Sequence, residues 1–211
     1  LKKAPVAKHF VFTGNPGTGK TTVARLLSKI YCALGVLSKG HLVEVDRSGM
    51  VAGYMGQTAL KTKKVIDKAK GGVLFIDEAY ALSNHGPEGD FGQEAIDTLN
   101  KAMEDYRDDL IVIVAGYPDL MEDFIDANPG LKSRFNKTIE FPDYTEEDLF
   151  TIFEHMCREQ DYHLSSSGKV RLKEVLGKMV KEKDENFSDG LILPDGDYIR
   201  IPKGHLHGMM A

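Results

Sequence analysis

Gly14-Asn15-Pro16-Gly17-Thr18-Gly19-Lys20-Thr21 meets every fixed position of the pattern G-x-x-x-x-G-K-[ST]. The chemistry that this spacing serves is capture of a nucleotide's phosphates. Three glycines let the backbone curl without Cβ clashes, so that successive N–H groups converge on an anion. A helix starting directly after them adds the partial positive charge of its N-terminus. Lys20 is then expected to reach the β- and γ-phosphates, and the Thr21 hydroxyl to ligate Mg²⁺. A second pair of the right types, Asp77-Glu78, follows the apolar run Val73-Leu74-Phe75-Ile76. Asp77 is expected to hold Mg²⁺ through water, and Glu78 to polarise the water that attacks the γ-phosphate, as general base or orienter. Phosphoryl transfer needs charge compensation more than covalent help. A lysine, Mg²⁺ and an aligned water supply most of it, so ATP and Mg²⁺ are the expected substrate and metal.

Such residues work only if strands and helices bring them to one edge. The run 10–14 reads as a first strand and 20–34 as a first helix, stopped by Gly35. A second strand is expected at 41–46, then a Gly-interrupted loop over 49–56 and a helix over 58–70. The fully apolar strands 73–76 and 110–115 are of the kind buried on both faces of a parallel sheet. A helix over 91–106, a short one around 120–127 and a fifth strand at 138–141 complete the alternation. The expected fold is therefore a doubly wound α/β domain of the P-loop NTPase type. It has three layers, α/β/α, around a five-stranded, mainly parallel sheet whose ligand sits at the C-terminal strand ends. Domain boundaries are expected at 1–143 for this nucleotide-binding unit and 144–189 for a partial helical lid. The lid holds helices at 146–161 and 168–183, the first with Thr145 as N-cap. The remainder, 190–211, reads as a divergent tail with a short hairpin around Pro194-Asp195-Gly196.

The chain has 211 residues, 42% hydrophobic and 28% charged, with a formal charge of −5. That is ordinary for a soluble globular protein and speaks against general nucleic-acid binding. No apolar run approaches a membrane span, and Leu1-Lys2-Lys3-Ala4-Pro5 is no signal peptide, so a cytoplasmic protein is expected. Because the chain opens on Leu1, a longer parent protein is expected. Cys32 and Cys157 stand alone, without metal-ligand spacing. Lys61, Lys63, Lys64, Lys68 and Lys70 share one helical pattern and read as a solvated face.

Five segments together resemble the AAA+ ATPases, and within them the CbxX/CfqX branch of red-type Rubisco activases and stage V sporulation protein K. They are 14–22, 71–80, Val114-Ala115-Gly116-Tyr117, the run Asn128-Pro129-Gly130-Leu131-Lys132-Ser133-Arg134-Phe135, and Glu140-Phe141-Pro142-Asp143-Tyr144. The resemblance runs from about Lys8 to Phe187. It extends the nucleotide-binding set to Thr22 and makes the following helices an AAA+ lid. It implies that Arg134 is an arginine finger reaching a neighbouring subunit's site, with Lys132 a weaker candidate. Tyr54-Met55-Gly56 would be the pore loop that grips a polypeptide in a ring, and Tyr117 would fall at the sensor 1 position. A homo-oligomer, a hexamer, and a protein client are implied in the same way.

Two features depart from the wider family. Sensor 1 is usually Asn or Thr, whereas Tyr117 stands here, as in the resembled branch. Beyond Asn186-Phe187 the arginine-bearing lid helix does not follow, so no sensor 2 residue is assigned. The expected function is an oligomeric ATP-driven protein-remodelling motor. The alternative is a slow or non-hydrolysing scaffold whose partner binding ATP switches. A DNA-remodelling protein and a small-molecule kinase fit less well, given the aromatic loop, the acidic balance and the lack of an acceptor site.

Overall fold

Strands buried on both faces have no face to give to water, and three of them form the centre of this protein. The computed structural model describes residues 9–54, 56–83 and 91–182, and the backbone of two short strands at 191–192 and 198–199. The chain divides into two compact units between Phe141 and Pro142. In the first unit β1 (His9–Thr13), β3 (Val73–Ile76) and β4 (Ile111–Gly116) are buried along their whole length. They lie inside a five-stranded sheet of order β2-β3-β4-β1-β5, with β2 (Leu42–Val45) and β5 (Thr138–Glu140) at the edges. All pairings are parallel; Phe12 lies opposite Ala115, and Ile76 opposite Val114.

Side chains alternate across a strand, so each strand feeds two cores. Phe10, Phe12, Val73, Phe75, Ile111, Ile113 and Ala115 gather on one face with Ala24 of α1 (Lys20–Ala33) and Leu37. Val11, Leu74, Ile76, Val112 and Val114 share the other face with Ile66, Leu99 and Phe124. Those three come from α3 (Thr58–Ala69), α4 (Phe91–Asp105) and α5 (Pro118–Asp126). The expected three layers are present.

Two short helices stand where no helix was expected. Asp46 accepts from the Gly49 N–H and starts α2 (Arg47–Met50), where a strand end and a loop were expected. Pro129, with its fixed φ, opens α6 (Pro129–Arg134), where no element was expected. Helix α5 begins two residues earlier than expected, again at a proline, and a 3-10 turn (Ala79–Ser83) follows β3.

The second unit holds α7 (Glu146–Glu159) and α8 (Ser166–Glu182). Helix α7 starts with a reciprocal capping box. The Thr145 hydroxyl oxygen accepts from the Asp148 N–H, and the Asp148 carboxylate accepts from the Thr145 N–H. Between the helices Lys173 stands over the Phe150 ring at 4.7 Å. The expected hairpin appears as β6 (Leu191–Ile192) paired antiparallel with β7 (Tyr198–Ile199); its Pro194-Asp195-Gly196 turn lies outside the described residues.

Candidate nucleotide site

The site begins where β1 runs out of partners. Gly14 still donates to the Gly116 carbonyl at 3.1 Å, and Phe141 to Thr13 at 2.7 Å; beyond them the chain turns away from the sheet. Gly14 has φ +144°, and a Cβ there would lie 2.2 Å from the Phe141 carbonyl oxygen, so no other residue fits. Asn15, Pro16 and Gly17 form an exposed crest, whereas Thr18, Gly19 and Lys20 are buried behind it. The Thr18 hydroxyl closes the loop on the Asn15 carbonyl at 2.8 Å. Lys20 folds inward, its Nζ donating to the carbonyls of Gly14 at 2.8 Å and Asn15 at 2.7 Å. Helix α1 then starts from a left-handed Gly19 with no side-chain cap and no acidic residue in its first turn. The positive end of its dipole suits an external anion.

Two strands away, Asp77 continues the β2–β3 ladder, its N–H donating to the Val45 carbonyl at 2.8 Å. Its Oδ1 accepts from the Glu78 N–H at 3.1 Å. Glu78 is exposed with φ +47°, a left-handed conformation that turns the chain into the 3-10 turn. Because β4 lies between β1 and β3, the loop and the acidic pair are about 10 Å apart across the strand ends. Tyr117 leaves β4 in that gap, its ring 6.4 Å from that of Tyr80. Burial first, and then the charge of Glu78, raise the Tyr80 pKa above the ordinary phenol value, which keeps the hydroxyl protonated beside the carboxylates.

The oxygens suit a hard divalent cation. Thr21 is buried and donates from Oγ1 to the Glu44 carboxylate at 3.5 Å; Asp77 is half-buried at the neighbouring strand end. Among the described residues no cluster of three or more His, Cys, Asp or Glu could hold a metal unaided. Mg²⁺ has no need of one, since it keeps waters and takes substrate phosphates as ligands.

The remaining expected residues stand elsewhere. Tyr54 is 74% exposed on the loop between α2 and α3, Gly56 has φ +76°, and Met55 lies outside the described residues. Arg134, at the end of α6, bonds the Gly130 carbonyl at 3.0 Å and faces Glu104 of α4 at 3.8 Å. Its neighbour Phe135 packs on His9, at the start of β1, 5.9 Å between rings. Arg134 is therefore at the opposite end of the sheet from the loop and does not join Lys20 within one chain. Lys132 is paired with Asp126 at 3.0 Å. Sequence reasoning missed Glu44 and Tyr80. The one signal for Glu44 was a lone carboxylate in an apolar strand; Tyr80 sat unassigned in a quoted motif.

Comparison with known proteins shows the family of the chain. Residues 10–143 match the model of the ATPase family associated with various cellular activities (AAA), and 145–192 match an AAA lid domain. Stage V sporulation protein K of Bacillus subtilis is 52% identical over 176 residues, 83% of this chain and 54% of that protein. Protein CbbX of Cereibacter sphaeroides is 52% identical over 80% of this chain and 55% of its own length. The chloroplastic ribulose bisphosphate carboxylase/oxygenase activase of Cyanidioschyzon merolae is 50% identical over 81% and 59%. The chain thus spans little more than half the length of these relatives. The crystal structure of the FIGL-1 AAA domain in complex with ADP shares the fold, with TM-score 0.56 over 97% of this chain and 71% of that one, at 14% identity.

Proposed function

The chain belongs to the AAA family of ATPases, within the CbbX and stage V sporulation protein K group, and we propose from that premise that it hydrolyses Mg-ATP in an oligomer that remodels a protein client. The observation that carries this reading is the loop of Gly14 to Thr21, with Lys20 buried inside it, facing Asp77 and Glu78 across the end of β4. The loop and the uncapped start of α1 hold the phosphates. Lys20 offsets negative charge that builds on the γ-phosphate oxygens. Thr21 and Asp77 would hold Mg²⁺, which would supply neutralisation of phosphate charge. Glu78 orients the attacking water and accepts its proton. Tyr117 borders that water, a phenol in place of the more usual Asn or Thr.

Arg134 completes the site of a neighbouring subunit. Its place at the far end of the sheet supports action between chains, because it is remote from the loop of its own chain. A row of exposed apolar residues on α1 and its C-cap, Leu26, Ile30 and Leu34 at i, i+4 and i+8, supports association of copies, a hexamer in this reading. Tyr54-Met55-Gly56 is the grip on the client: an exposed aromatic on a short braced loop is a sequence-tolerant contact with polypeptide. A relative whose name makes it an activase of another enzyme supports a protein client. The described residues contain no helix long and apolar enough to cross a membrane, and the reading places the protein in the cytoplasm.

The test is specific ATPase activity against protein concentration with Mg²⁺, using Arg134→Ala as control. Activity per subunit should rise with concentration and fall at least tenfold in the variant, on the order expected for an arginine finger. The second reading, an ATP-switched scaffold, is favoured by the tether of Arg134 to Glu104. Intact nucleotide binding with flat or absent turnover would establish it instead.

A further inference from the structure

We infer that Arg47 is a positioning residue for the Asp77-Glu78 turn, holding it from the side of the Tyr54 loop. This rests on the hydrolase reading above. Arg47 opens α2, directly after the Asp46 cap. Its Nη1 donates to the Ala81 carbonyl at 2.7 Å, with the Leu82 carbonyl at 3.4 Å. Both carbonyls belong to the 3-10 turn that Glu78 begins, where the Ala81 N–H donates to the Glu78 carbonyl at 2.8 Å. The end of a short helical turn leaves carbonyls without intrahelical donors, and the guanidinium supplies them.

The fit is close. A Cβ on Gly92, in the first turn of α4, would come within 1.8 Å of the Leu82 carbonyl oxygen and 2.9 Å of Arg47 Nη1. Only glycine lets α4 close over this contact. Glu78 sits in a conformation that a non-glycine residue keeps only when its surroundings hold it. The other side of α2 is braced as firmly. Lys61 Nζ donates to the carbonyls of Ser48 at 2.6 Å and Val51 at 2.9 Å, and the Thr62 hydroxyl donates to Met50 at 3.0 Å. The exposed Tyr54 leaves directly from that braced segment. One guanidinium therefore joins the base of the client-facing loop to the turn that aims the water-orienting carboxylate. Its side-chain hydrogen bonds go to this turn rather than to the loop that holds the phosphates.

The test is steady-state Mg-ATP turnover of the wild type, E78Q, R47M and R47K, with affinity read from a fluorescent ATP analogue. R47M keeps the apolar stem and removes the donors. Its kcat should fall about tenfold with KM for ATP within about twofold, since the phosphate loop is untouched and a displaced Glu78 is costly. R47K retains a donor and stays folded, and should recover the greater part of kcat. An R47M kcat within about twofold of wild type overturns the assignment. A loss expressed as raised KM, or an R47K no better than R47M, does the same. Wild-type turnover indifferent to E78Q overturns the hydrolase reading and this assignment with it. Turnover abolished by E78Q and untouched by R47M overturns this assignment alone.

Discussion

Gly14 and Arg134 show how differently single residues depend on their surroundings. At Gly14 the constraint is local and absolute: φ is +144° and a methyl group would enter the Phe141 carbonyl. Gly14→Ala should cost about 2 kcal/mol or more. A lowered Tm together with loss of fluorescent ATP analogue binding is the expected result. Arg134 is held instead by a loose pair with Glu104, whose side chain is 61% exposed, and such pairs contribute about 0–1 kcal/mol. Glu104→Gln should therefore leave Tm almost unchanged. If Arg134 serves a neighbouring subunit, the variant should raise turnover up to about twofold at sub-saturating protein concentration, because less must be broken to release the guanidinium. A lowered turnover in that assay would argue that the pair itself positions Arg134.

At the scale of elements, caps decide where helices begin. The Thr145–Asp148 box fixes the start of α7, and Thr145→Ala should destabilise the helical unit by about 1 kcal/mol, measured by denaturant unfolding. Asp46 does the corresponding job for α2. The Ser48 hydroxyl first, and then the Gly49 N–H, hold its carboxyl below the ordinary carboxylate value. A pKa lowered in the folded state gives stability that is present above the unfolded value and lost as pH falls through the folded one. The α2 segment should therefore loosen only below about pH 4. Pepsin cleavage beside Tyr54 should accelerate there in the wild type, whereas Asp46→Ala, which has no acceptor for the Gly49 N–H, should be cut readily across the whole acid range. The four residues of α2 were not legible beforehand. A helix this short has no periodicity to read, and Asp46-Arg47-Ser48-Gly49 is equally good turn sequence. Proline hid α6 and the start of α5 in the same way, since it punctuates loops and also opens helices.

For the whole molecule, α1 and its C-cap carry the row Leu26, Ile30 and Leu34, each more than 40% exposed. Leu34→Ser should change monomer stability by less than about 0.5 kcal/mol, as exposed positions do. It should lower self-association in sedimentation, with the concentration dependence of ATPase activity shifted to higher protein. Unchanged association would remove α1 from the contact.

The phosphate loop, the acidic pair and the buried strands were readable in the chain because each is written in consecutive residues. Glycine spacing sets a backbone path, and an unbroken apolar run can be stable only when covered on both faces. The alternation of strands and helices carried the layer architecture for the same reason. Tertiary structure alone decided what meets across strands. It put β4 and Tyr117 between the loop and Asp77-Glu78, brought Glu44 to Thr21, and set Arg47 on the Ala81 carbonyl. It also placed Arg134 at the far end of the sheet. Those contacts join residues distant in sequence, and strand order and side-chain direction exist only once the sheet has closed.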